Sequence, residues 1–212
     1  MAFWNAPLDN PLHPKDSADA ALKMIIRLAA LNKELEAEAA EEGRTFKALR
    51  VGIGLNTGVC IVGNLGSEQR FDYSVLGDPV NLASRLEGQT KEYGFSIIMG
   101  ESTAQSIPDY AMIELDLIAV KGKEEAVKIY GLLGDGEHAQ RAEFIEAKDA
   151  IEAFLKLYLA REWDSAEKKL VHIAELNPRL EKFVRLYQDR IRRFRTSPPP
   201  ENWDGVFRAE KK

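Results

Sequence analysis

At 212 residues, 45% hydrophobic and 30% charged, with a net charge of −5, the chain has room for one globular domain and an appendage. No apolar run is long enough to span a bilayer, no basic-then-apolar leader opens the chain, and the single cysteine, Cys60, excludes an internal disulfide and fits a reducing compartment. Residues 136–212 carry 16 basic and 14 acidic side chains against 13 and 20 in residues 1–135, and an acidic first part argues against a nucleic-acid partner.

Residues 1–6 are apolar and aromatic and read as a strand, and Pro11 and Pro14 mark a loop after it. Residues 16–42 read as a long helix, with Ala21, Ile25, Leu28, Leu31 and Leu35 as its apolar stripe. Asp16 or Ser17 is its expected cap, and Gly43 its stop. Residues 49–55 alternate as a strand and 59–62 read as a second, with Thr57-Gly58 as a tight turn that would make them a hairpin. The glycines at 52, 54, 58, 63 and 66 mean either close backbone approach or turn geometry alone. Cys60 reads as a buried structural thiol.

Residues 78–93 read as a helix, with Asp78 as N-cap and Pro79 in the first turn. Asn81 and Arg85, four residues apart, share one face a turn apart. A guanidinium is planar, always charged and forked to match phosphate oxygens, and an amide offers a directed hydrogen bond to a sugar. Ser74, just upstream, is a small hydroxyl that donates or accepts. Residues 95–99 read as a strand, 101–106 as a short helix, and 112–120 and 126–133 as two strands around a polar turn. Mixed elements with antiparallel hairpins favour an α+β fold.

Gly134-Asp135-Gly136 is the natural boundary. Beyond it lie three helical stripes: Phe144, Ala147, Ile151, Phe154 and Tyr158; then Trp163, Ala166, Leu170 and Ile173; then Leu180, Phe183, Tyr187, Ile191 and Phe194. The second resembles the later helix of a tetratricopeptide repeat. One repeat cannot bury its own faces, so this tail is expected to pack on the preceding domain or on a partner. Residues 198–212 are proline-rich and extended, and Trp203 and Phe207 either dock back or bind a partner.

The string FDYSVLGDPVNLASRLE, residues 71–87, resembles the signature of class III nucleotidyl cyclases, the adenylate and guanylate cyclases, most closely the bacterial type. The likeness runs upstream through LRVGIGLNTGVCIVGNLGS at 49–67 and downstream to VKGK at 120–123. It implies a ferredoxin-like cyclase domain at residues 1–135, N-terminally incomplete and lacking its first strand and metal-binding hairpin. A helical repeat-like tail would follow at 136–197 and an extended C-terminus at 198–212. The function implied is adenylate cyclase, ATP to cyclic AMP and pyrophosphate, with Mg2+ or Mn2+. Asn81 would orient the ribose and Arg85 would stabilise the transition state. Ser74 would contact adenine. Lys121, with Lys123 as competitor, would hold the terminal phosphates. The metal-binding aspartates of such cyclases align upstream of Met1, so no metal ligand is expected in this chain. Such enzymes share each site between two subunits, which implies a homodimer or a complementing cyclase subunit in the cytoplasm, the parent protein being anchored, if at all, through an upstream segment. The alternative is a non-catalytic dimerisation module derived from a cyclase.

Overall fold

The computed structural model describes residues 1–67, 70–119 and 126–206. Helix α1 (His13–Glu41) leads to strand β1 (Ile53–Leu55), and strands β2 (Ile61–Ser67) and β3 (Arg70–Leu76) precede helix α2 (Asp78–Tyr93). Strand β4 (Ile97–Gly100), helix α3 (Glu101–Ser106) and strands β5 (Ala111–Ala119) and β6 (Ala126–Gly134) follow. The chain continues through α4 (Gly136–Ala139), α5 (Ala142–Leu159), α6 (Trp163–Leu176) and α7 (Glu181–Thr196).

The main sheet has the order β1-β4-β6-β5, with β1 parallel to β4 and the other pairs antiparallel. Strands β2 and β3 form a separate antiparallel ribbon. The hairpin expected between residues 49–55 and 59–62 does not form: β1 pairs with β4, and β2 with β3. A parallel pair needs a long crossover, and the ribbon and α2 supply it. The reason lies at Gly54, where an added Cβ would sit 2.0 Å from the Ala83 carbonyl oxygen and 2.5 Å from the Glu87 nitrogen. The backbone of α2 lies directly on β1, and only glycine admits it. Gly54→Ala is therefore expected to cost about 1–3 kcal/mol, read as a lower denaturant midpoint at unchanged slope.

Residues 1–6 are not a strand; no ladder partner lies beside them among the described residues, and Phe3 instead meets Tyr73 of the ribbon with ring centroids 5.8 Å apart. Helix α1 begins three residues earlier than expected, with Pro14 in its first turn, because proline's missing N–H costs nothing there. Ser17 is not its cap; its hydroxyl donates to the Pro14 carbonyl at 2.8 Å. Cys60 is half-buried rather than buried.

Both faces of the sheet are covered. Along β4, Ile97 and Met99 join Ala18, Ala21 and Ala104 of α1 and α3, while Ile98 joins Leu86 of α2 and Phe154 and Tyr187 of the tail. The expected stripes of α5, α6 and α7 all face this second layer, which is continuous with the sheet's core. Phe154, Tyr158, Phe183 and Tyr187 pack with centroids 4.9–6.0 Å apart. The tail thus finds on the sheet the surface that one repeat lacks. Trp203 docks back too, 5.1 Å from Phe194 and 5.5 Å from Tyr158. Phe207 lies outside the described residues.

One polar group joins the layers. A register shift between Glu114 and Asp116 marks a bulge in β5, so Leu115 and Asp116 both turn toward the tail. Asp116 meets Arg190 of α7 at 2.5 Å, both side chains about 5% exposed or less. The Tyr93 hydroxyl donates to the same carboxylate, and the Tyr187 hydroxyl donates to the Leu115 carbonyl. Burial, then the Asp116 charge, pushes the Tyr93 and Tyr187 phenols far above their usual value of 10.0. A raised folded-state pKa stabilises the fold fully below the unfolded value and is lost as pH rises through the folded one. Stability is therefore expected to fall above roughly pH 10, with these phenols ionising together as the chain unfolds, read by phenolate absorbance against circular dichroism.

Candidate active site on the second helix

Helix α2 forms where the sequence predicts it, Asp78–Tyr93. Leu82, Leu86, Thr90 and Tyr93 face inward. This leaves Asn81 and Arg85 together on the outward face, both exposed. Neither side chain makes a hydrogen bond or ion pair among the described residues, and Arg85 does not pair with Glu87. Asp78 is not the N-cap. Gly77 takes that place, no side chain caps the helix, and Asp78 adds a favourable negative charge to the first turn.

Ser74 lies on β3 opposite Gly63, half-buried, two residues before the strand ends. No hydrogen bond links it to Asn81 or Arg85. Lys121 and Lys123 lie outside the described residues. An open cleft of about 770 Å³ between the first turn of α1, the end of α3 and α4 is lined by none of Ser74, Asn81 and Arg85. These residues form an exposed helix face beside a ribbon, a surface that needs something opposite it before it can enclose a ligand.

Two supports of this face are not evident from motif spacing. Asn56 donates its amide to the Pro79 carbonyl at 3.1 Å and so holds the first turn of α2. Its neighbour Thr57 is tied to α3 through Ser102 and Thr103. The other support is Tyr93 at the far end of α2, hydrogen-bonded to Asp116. An Asn directly after an alternating strand was the available signal for the first; the second had none, since Asp116 is distant in sequence. Among the described residues no three His, Cys, Asp or Glu side chains converge to hold a metal. Among the described residues the donors on this face, an amide, a guanidinium and a hydroxyl, are not a set that holds a magnesium or manganese ion. No helix among the described residues is long and apolar enough to cross a membrane.

A sequence model of the adenylate and guanylate cyclase catalytic domain matches residues 1–134. Adenylate cyclase 1 of Rhizobium meliloti is 34% identical over 135 residues, which is 63% of this chain and 19% of that protein. The chain spans between about a twentieth and a quarter of the length of the curated relatives it matches. Among solved structures, the adenylyl cyclase CyaB of P. aeruginosa superposes with a TM-score of 0.54 at 29% identity, covering 61% of this chain and 64% of that one. A guanylyl cyclase superposes with a TM-score of 0.52 at 28% identity, covering 64% of each. The match to nearly two thirds of its residues makes this chain a member of the adenylate and guanylate cyclase catalytic-domain family.

Proposed function

We propose that this chain supplies the Asn81–Arg85 half of a shared nucleotide-cyclising site, with ATP as substrate. The observation that carries the reading is the exposed amide-guanidinium pair on α2, which has no hydrogen-bond or ion-pair partner among the described residues. An arginine held out without an acid beside it is available to an anionic ligand.

In the reaction the ribose 3′ oxygen forms a bond to the α-phosphorus and loses its proton, and the bond from that phosphorus to the bridging oxygen breaks, releasing pyrophosphate. Arg85 would place its fork on the α-phosphate oxygens as charge develops on them. Asn81 would hold the ribose so that the attacking oxygen lies in line. Ser74 would meet the purine edge, where a hydroxyl favours adenine, and Lys121 would take the terminal phosphates. The opposite wall, with its acidic metal ligands, comes from a second cyclase subunit. Two copies of this chain alone would leave both sites without those ligands.

Mixing tests the reading. The purified chain alone is expected to show no turnover above background. Added to a cyclase subunit that keeps its aspartates but lacks its own arginine, it is expected to restore metal-dependent cyclic AMP formation. A parallel run with GTP decides the nucleotide. Robust cyclic AMP production by the chain alone would sink the half-site reading. A stable complex without turnover would make the chain a binding module instead.

A further inference from the structure

We propose that Arg190, Tyr93 and Asp116 form a clamp through which the helical tail sets the position of the Asn81–Arg85 helix. The proposal rests on the reading of that helix face as half of a cyclase site, and it assigns α7 a part in catalysis that the matched domain, ending at residue 134, does not contain.

Three elements meet at one carboxylate. The Tyr93 hydroxyl at the last turn of α2 donates to Asp116 Oδ2 of β5. Arg190 Nη1 of α7 donates to that same oxygen, and Arg190 Nη2 donates to the Tyr93 hydroxyl at 3.1 Å. All three residues are at most 5% exposed. A second tie lies one residue on. Gly94 closes α2 in the left-handed conformation, φ 81°, and an added Cβ there would lie 2.7 Å from Cβ of Lys182. Lys182 Nζ donates to the Lys91 carbonyl at 3.4 Å. The start of α7 therefore abuts the end of α2.

Apolar packing alone would hold the tail on the sheet, since Phe183, Tyr187 and Ile191 are fully buried. Such packing is non-directional and tolerates small slides. A buried ion pair adds little net stability over an apolar substitute, and fixing one arrangement is the role left to it. Hydrogen bonds that share one oxygen set where the end of α2 lies and how it is turned about its axis. The helix is a rigid rod, and Arg85 lies only about 12 Å along it from Tyr93. A turn or shift at the clamped end is carried to Asn81 and Arg85, where about an ångström of misplacement is enough to slow a reaction markedly.

Tyr93→Phe tests this with the loss of one oxygen. It releases α2 while leaving the Arg190–Asp116 pair in place. Two measurements are made at a temperature where both proteins are fully folded. The first is hydrogen exchange of the α2 amides in the chain alone, which needs no activity. The second is the turnover of the mixed complex described above. The clamp predicts faster exchange along α2 and a kcat lower by about tenfold at unchanged KM. Lys182→Ala, an exposed substitution that should not threaten folding, is expected to move both readouts in the same direction by a smaller amount. Faster exchange in the chain alone, beside a mixture that is inactive even with the unmodified chain, would uphold the clamp while the cyclase reading fails. Unchanged α2 exchange and unchanged kcat in Tyr93→Phe would overturn the clamp. So would a kcat loss that follows the folded fraction alone. Should Tyr93→Phe not fold, unchanged exchange and kcat in Lys182→Ala would overturn it equally.

Discussion

Arg85→Ala is expected to lower turnover of the mixed complex by roughly 10²–10³-fold, the usual cost of removing a donor aimed at developing charge. The fold should not notice. Arg85 is exposed and makes no ion pair among the described residues, so its loss falls in the class of surface changes within about 0.5 kcal/mol. The loss should appear mainly in kcat if the guanidinium engages the α-phosphate only as the new bond forms. Arg85→Lys keeps the charge but not the planar fork, and it should fall between the two. Steady-state rates set beside thermal midpoints check all three statements. An equal loss in both would mean that Arg85 supports the structure rather than the reaction.

Arg190→Ala should have the largest effect on stability, about 3–5 kcal/mol, because it leaves the Asp116 carboxylate buried without its cation. Burial by itself would lower the Arg190 pKa, yet the adjoining Asp116 carboxylate and the phenols of Tyr93 and Tyr187 raise it, so the guanidinium stays charged where it lies. The pair as a unit is a different matter. Replacing both members with apolar residues of similar size, Asp116→Leu with Arg190→Met, is expected to cost less than Arg190→Ala alone, since neither desolvation cost then remains and the loss is confined to the acceptor of the Tyr93 hydroxyl and the Leu117 N–H. Denaturant titrations of the single and double variants form the cycle that separates the two effects.

The site helix was the most legible part of the chain. A glycine, an aspartate and a proline in a row mark its start, a glycine marks its end, and the amphipathic pattern between them leaves Asn81 and Arg85 outside. The tail helices were legible for the same reason: their stripes at spacings of three and four are what the sheet buries. Strand pairing was not. Alternation at 49–55 and 59–62 says that each segment is extended, but not which neighbour it takes, and a plausible turn between them favoured a hairpin. What decides the pairing is the approach of α2 at Gly54, a contact between segments some thirty positions apart. Residues 1–6 have a strand's composition without a strand's neighbour, and composition carries no information on neighbours. Of the candidate site residues, Ser74, Asn81 and Arg85 lie on the ribbon and helix where the motif puts them, while Lys121 lies outside the described residues. Their expected roles rest on the proposed chemistry. The clamp was beyond reach because Asp116 and Arg190 belong to different patterns, one a polar residue inside a strand and the other one of several arginines on a basic helix.

The Asp116–Arg190 pair also bears on biosynthesis. The two residues are 74 positions apart, and the carboxylate is made first. At translation rates of about 5–20 residues per second, β5 waits roughly 4–15 s for its cation. Throughout that interval a sheet already formed would show one uncovered apolar face, with an acid on its edge strand β5 lacking its cation. A carboxylate in that position discourages the bare face from burying itself against another nascent chain, because doing so would strip water from a charge with nothing to offset it. The residue that joins tail to sheet in the finished protein would then have acted, seconds earlier, as a guard against premature association on the ribosome.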